Sequence, residues 1–309
     1  MISQLLNRAK KIIPLSEAEI LLAYILKKDR SYIVAHPEFP ISLYKRLFFY
    51  YVLKKRNRGI PIAYLLGHKE FFGIDFIVNR HTLIPRPETE LMVEEVLSQI
   101  QKYFEQSHKN LNQTNDQKDE KIILIDIGTG SGCIPISIIK NIPEKKVTSI
   151  AVDTSSFALR VAGRNAKNHN VAITFLHGNL LEPLNKIFSL HQLDSASKQT
   201  TPYLLFITAN LPYLRTEQYN NEPSIQHEPR HALVAQNNGL ALYEELLQQL
   251  QKIFQQTMIN RFSTSLFLEI DPSQSRQITE LIKKYFPDAS VKIKADLRNQ
   301  DRLVIITFH

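Results

Sequence analysis

KIILIDIGTGSGCIPISIIK, residues 121–140, decides the fold. Lys121–Ile127 is an isoleucine-rich apolar run that ends at glycines 128, 130 and 132. It reads as a buried strand, followed by a tight turn and then a helix over Cys133–Lys140. Glycines spaced G-x-G-x-G let a backbone turn sharply and approach a ligand closely. The place of this loop, at a strand's carboxyl end and a helix's start, also suits an anion or phosphate.

Outward from this stretch the same rhythm repeats. KVTSIAVD is a strand, SSFALRVAGRNAKNHN a helix and VAITFLHG a strand. YLLFITAN is another strand, followed by the helix GLALYEELLQQLQKIF, the strand STSLFLEI and the helix SQSRQITELIKKYF. Alternating strands and helices imply an α/β, mostly parallel, doubly wound sheet. VKIKAD and DRLVIITFH suit an antiparallel hairpin at its edge. Two polar stretches, residues 106–121 and 191–200, read as loops or disordered insertions. No internal repeat is visible.

The amino-terminal part has a different pattern. Ser16 and Glu19 match a capping box ahead of helical periodicity, and a second helix is expected from about Ser42 to Gly59. Glu70–Val78 reads as a short hairpin around Gly73. Residues 1–80 are therefore expected to form a helical unit with a closing hairpin, and 81–309 the α/β unit. Pro87 suits the first position of a helix running to about Phe104.

Bulk properties exclude several classes. The 309 residues are 43% hydrophobic and 22% charged, as in ordinary globular proteins. No apolar run approaches the roughly 18 residues of a membrane helix, and the first twenty residues lack a signal-peptide pattern. One cysteine, Cys133, permits no internal disulfide, which fits a cytoplasmic protein. The net charge is +8. The basic residues read as a dispersed, solvated surface, and direct nucleic-acid binding is not expected.

Two further elements bring chemistry to the sheet edge. IAVD ends the second strand in Asp153, twenty-one residues beyond Gly132. A carboxylate there can accept two ribose hydroxyls. It could equally cap the helix that follows. The fourth strand ends in ANLPY, so Asn210 and Tyr213 should face the same crevice. The Asn210 oxygen and the Leu211 carbonyl can each accept one N–H bond, and the Tyr213 ring offers a flat face. Asn210, Leu211, Pro212 and Tyr213 together suit a planar NH2 group.

The order GTGSG, AVD, then N-x-P-Y resembles class I methyltransferases acting on planar nitrogen. The chain resembles more closely the HemK/PrmC family, the glutamine methyltransferases of peptide chain release factors. The resemblance spans nearly the whole chain, including PRPETE (residues 85–90), HEPRHALVAQNNGLALYEEL (227–246), LEIDPSQ (268–274) and KADLRNQDRLV (294–304). It implies a Rossmann-like domain with a seven-stranded sheet whose last strand is antiparallel. It also implies S-adenosylmethionine as cofactor, lined by Gly128, Thr129, Gly130, Ser131 and Gly132. Asp153 would hold its ribose, with Leu180 and Asn210 nearby. Asn210 to Tyr213 would hold the glutamine of a Gly-Gly-Gln loop, and Asn210, Pro212 and Tyr213 would form the catalytic group. The helical amino-terminal part would help grip the release factor.

The chain departs from the family pattern in places. N-L-P-Y stands where N-P-P-Y is usual, although Leu211, preceding Pro212, is still pushed toward extended geometry. Asn179 replaces an acidic residue, Leu180 an aromatic one and Asp271 a glycine. N-L-P-Y also occurs in ribosomal RNA adenine dimethyltransferases, so an adenine amino methyltransferase acting on RNA or DNA is the alternative. A non-catalytic binding protein and a nicotinamide oxidoreductase are the remaining readings, and ANLPY has no use in the latter. HEPRH (residues 227–231) matches the H-E-x-x-H zinc pattern, but Pro229 breaks the continuous helix that pattern needs. Glu228 and Arg230 are expected to brace the loop after the site. Glu88 and Glu90 either touch substrate or simply favour a helix start, and Cys133 is expected to be a packed helix residue.

Overall fold

The computed structural model describes residues 1–111, 121–142, 147–184, 203–256 and 262–308. The chain opens with α1 (Ile2–Ala9), α2 (Leu15–Leu26), α3 (Arg30–Ala35), α4 (Leu43–Asn57) and α5 (Ile62–Leu66). They enclose their own core, which includes Leu5, Leu21, Leu22, Ile33, Phe49 and Leu53. Arg56 ties α4 to α2 through a two-pronged bond to Glu17, at 2.7 and 3.0 Å. The expected capping box does not form. Pro14 precedes the helix, Ser16 lies inside its first turn, and Glu19 instead accepts from Arg30 at 2.8 Å.

The hairpin forms as read, from β1 (His68–Phe71) and β2 (Ile74–Ile77). Phe72 and Gly73 both take positive φ, 52° and 69°, the signature of a two-residue type I′ turn. Glu90 accepts from the Phe72 amide at 2.9 Å and holds that turn. The helix after Pro87, α6 (Glu90–Leu111), is longer than expected. Its last residues, 105–111, absorb the start of the stretch read as a loop. Residues 112–120 and 185–202 lie outside the described residues, including the second polar insertion.

The sheet contains β3 (Lys121–Ile127), β4 (Val147–Asp153), β5 (Thr174–His177), β6 (Tyr203–Ala209), β7 (Phe262–Glu269), β8 (Ser290–Ala295) and β9 (Asp301–Phe308), in the order β5-β4-β3-β6-β7-β9-β8. The first five are parallel, and β9 runs antiparallel to both its neighbours. Alternate residues of β3 serve opposite faces. Ile125 and Ile127 pack with α10 (Ala241–Gln256) and α11 (Ser275–Tyr285), through Tyr243, Leu246 and Ile278. Ile122 and Leu124 pack with α6 and α7 (Cys133–Lys140), through Val93, Val96 and Ile136. The short α9 spans Thr216–Asn221, and α8 spans Ser156–Asn168. Because β3 has β4 on one side and β6 on the other, the connections diverge there. A crevice opens at the carboxyl ends of these three strands.

The basic residues are not dispersed. Residues 1–67 hold twelve Lys and Arg against four Asp and Glu, whereas residues 68–309 hold twenty-six of each. The whole formal charge of +8 therefore sits in the helical amino-terminal part. Among the described residues no helix is long and apolar enough to cross a membrane.

Candidate active site

The crevice encloses a cavity of about 270 Å³ whose walls include Gly128, Gly130, Asp153, Leu180, Asn210 and Pro212. Three separate strand ends thus meet at one place. Not all residues expected there reach it. Thr129 and Ser131 are buried and do not line the cavity. Gly132, at φ +79°, serves packing. A Cβ there would stand 3.1 Å from Ile136 and 3.2 Å from Ala162, so the glycine lets α7 and α8 approach. Gly128, at φ +72°, faces the other way. A Cβ would sit 3.2 Å from the Leu211 side chain, narrowing the gap between the loop and the Asn210 turn.

Asp153 lines the cavity and does not cap α8. The cap of α8 is Ser155, whose hydroxyl accepts from Ala158 N at 3.2 Å. The two Asp153 oxygens accept from Gly130 N and Ser155 N, each at 2.8 Å. A carboxylate offers about four acceptor positions, so the pair of backbone bonds orients it without exhausting it. Burial raises the Asp153 pKa, opposed by these same backbone amides. At the adjoining wall, Asn179 donates to Glu245 at 2.6 Å, which leaves its amide oxygen as the acceptor. The amide of Leu181 donates to Gln249 at 2.8 Å. Between them Leu180 is held at φ +49°, a left-handed conformation rare for leucine and of the kind that collects at ligand sites.

The Asn210 turn is anchored on the side away from the cavity. Asn210 Nδ2 donates to Thr89 Oγ1 at 3.1 Å, which leaves Oδ1 as the atom that can accept from a ligand. Thr89 belongs to the PRPETE segment, in which the sequence reading singled out Glu88 and Glu90 but not Thr89. The Leu211 carbonyl accepts from the Tyr243 hydroxyl at 3.3 Å and keeps a second lone pair. Tyr213 does not line the cavity. Its hydroxyl turns inward and donates to Glu269 Oε1 at 3.0 Å. Desolvation, then the Glu269 charge, hold the Tyr213 hydroxyl well above its usual range.

Other neighbours were also missed. Asp126 is buried beneath the loop, and Thr208 donates to it at 2.7 Å. Burial pushes its carboxyl up to about 7, against the pull of the Thr129 and Thr208 hydroxyls. His81 and His231 line the cavity; His81 carried no sequence signal, and His231 entered only through the rejected zinc pattern. Glu228 accepts from Ile84 N at 3.0 Å and pairs with Arg86, so it braces the segment before PRPETE. The HEPRH stretch forms no continuous helix. Pro229 starts a short 3-10 turn, and His227 bonds the Arg58 carbonyl at 2.8 Å. Cys133 is packed in the core, where burial pushes its thiol up to about 12.

Comparison with known proteins gives a consistent result. The PrmC N-terminal domain model matches residues 1–67, and the methyltransferase small domain model matches residues 102–198. The release factor glutamine methyltransferase of Bacillus anthracis is 32% identical over 288 residues, covering 93% of this chain and 90% of that protein. The enzyme of the same name from Enterococcus faecalis is 36% identical over 247 residues, 79% of this chain and 75% of that protein. That of Coxiella burnetii is 35% identical over 241 residues, 78% and 74%.

Proposed function

Because the chain belongs to the release factor glutamine methyltransferase family, we propose that it methylates the side-chain amide nitrogen of the glutamine in the Gly-Gly-Gln loop of peptide chain release factors, with S-adenosylmethionine as donor. The observation that carries this reading is the anchoring of Asn210. Its nitrogen is committed to Thr89, which leaves its oxygen as an acceptor at the cavity wall.

The residues around the cavity fit the cofactor. Asp153 would bind the ribose hydroxyls, Gly128 and Gly130 would let the backbone approach it, and the Asn179 oxygen would accept from the adenine amino group. The cofactor supplies an electrophilic sulfonium methyl group. An amide nitrogen is a poor nucleophile because its lone pair is delocalised, so the protein's contribution is alignment. Asn210 Oδ1 and the Leu211 carbonyl would each accept one N–H of the glutamine amide. This fixes the NH2 plane and turns the nitrogen toward the methyl group. Positioning of this kind can supply on the order of 7–11 kcal/mol. The same two acceptors stabilise the positive charge that develops as the N–C bond forms and the C–S bond breaks. One N–H proton is then released.

The amino-terminal helices would hold the partner. Leu43, Tyr44, Leu47 and Tyr51 lie on one outward face of α4 and are 69%, 77%, 61% and 54% exposed. Such an apolar face, in the part of the chain that carries the whole net charge, suits an acidic protein surface.

The test is transfer of label from S-adenosylmethionine to an unmodified release factor and to its Gln→Ala loop variant. Label is expected only in the intact factor, and Asn210→Ala should lower kcat at least about a hundredfold. Label in RNA, and in neither factor, would move the chain to the adenine class.

A further inference from the structure

Two polar attachments of the Asn210–Tyr213 turn lead to one residue at the end of β7. Tyr213 donates directly to the Glu269 carboxylate at 3.0 Å. The Leu211 carbonyl accepts from Tyr243, whose hydroxyl also donates to the Glu269 backbone carbonyl. A third attachment, from Asn210 Nδ2 to Thr89 Oγ1 at 3.1 Å, ties the turn to the segment before α6. The turn is further pressed onto this wall. The Tyr213 carbonyl accepts from Gln274 at 3.0 Å, and a Cβ on Gly239 would overlap it.

Glu269 is 2% exposed, and its Oε2 has no hydrogen-bond partner among the described residues. A buried carboxylate is costly unless its neighbours compensate it. Burial raises its pKa; the Tyr213 hydroxyl and the charge of Arg302 on β9 oppose that rise, and Glu88 adds to it. An apolar residue would fill the space more cheaply if packing were the only demand.

We propose that Glu269 is a positioning residue for methyl transfer: it sets the Asn210–Tyr213 turn in the geometry that presents its two acceptors to the target nitrogen. This rests on the reading above that the turn holds the acceptor. A glutamine at 269 keeps the shape but offers one acceptor oxygen instead of two. The Tyr213 hydroxyl would then bond a neutral amide oxygen in place of a charged one, and this anchor of the turn would weaken.

The experiment compares wild type, Glu269→Gln, Tyr213→Phe and the double variant, with S-adenosylmethionine and an intact release factor. Glu269→Gln is expected to lower kcat roughly 10- to 100-fold, leaving KM for the release factor and the affinity for S-adenosylhomocysteine within about twofold. In the Tyr213→Phe background the loss should largely disappear, because the two residues share one bond. Amide hydrogen exchange should quicken over residues 210–214 and stay unchanged along the rest of the sheet. An unchanged kcat, a loss that simply adds to that of Tyr213→Phe, or exchange that quickens throughout β7 would each overturn the proposal. If wild type methylates RNA and not release factor, the functional reading fails. The kinetic comparison is then made on RNA, and the exchange result decides the role of Glu269 in either case.

Discussion

Asp126 and Glu269 are acids inside strands that otherwise read as apolar, and neither was singled out from the sequence. One carboxylate in a strand carries no periodic signal. Its burial is decided by what packs over it, here the glycine loop on one and Tyr213 on the other. Asn210 was legible because a proline and an aromatic follow it at a strand end, a pattern that has chemistry of its own. The inward turn of the Tyr213 hydroxyl was not legible, since its partner lies 56 residues away. Asp126 gives a pH test. Its folded pKa, about 7, lies above the ordinary aspartate value of 3.8, so the fold favours the protonated form. That contribution is complete below pH 4 and lost as pH rises through 7. Asp126→Asn should therefore flatten the melting curve of the ligand-free protein between pH 5 and 8. Equal slopes for variant and wild type, read by calorimetry, would show that Asp126 does not titrate there.

Among elements, the alternating strands and helices were readable because their hydrophobic periods are strong. Ends were read less well. The capping box at Ser16 failed because the helix is already capped at Pro14, two residues earlier. The cap expected of Asp153 passed to Ser155, which left the acid to face the cavity. The segment running into PRPETE was the largest omission. It reaches the site through Thr89 and is held by a residue 144 positions later, Glu228, which accepts from the Ile84 amide. Glu228→Ala leaves that buried amide without a partner, at a cost of roughly 1–3 kcal/mol. A lower melting temperature together with reduced kcat is expected. Full activity in a destabilised variant would uncouple the brace from the site.

Across the whole molecule, charge and chemistry are divided. The helical part carries the +8, and the α/β part is neutral overall. If that division serves partner capture, Tyr44→Asp with Leu47→Asp should raise KM for the release factor on the order of tenfold. Both kcat and turnover of a short Gly-Gly-Gln peptide should stay near wild type. Added salt should raise KM of the wild type in the same selective way. A fall in kcat without a change in KM would assign the α4 face to folding instead. The sheet has a consequence of a different kind. β9, the last strand in the chain, lies inside the sheet, between β7 and β8. During synthesis β7 and β8 emerge with a vacant slot between them, and among the described residues β8 pairs with no strand but β9. The Arg302 carbonyl of β9 also accepts from the Ile270 amide, beside Glu269. The wall behind the acceptor turn is thus finished only when the final strand docks, so a nascent or prematurely terminated chain would bear a glycine loop and an Asn-Leu-Pro-Tyr turn without the means to align them.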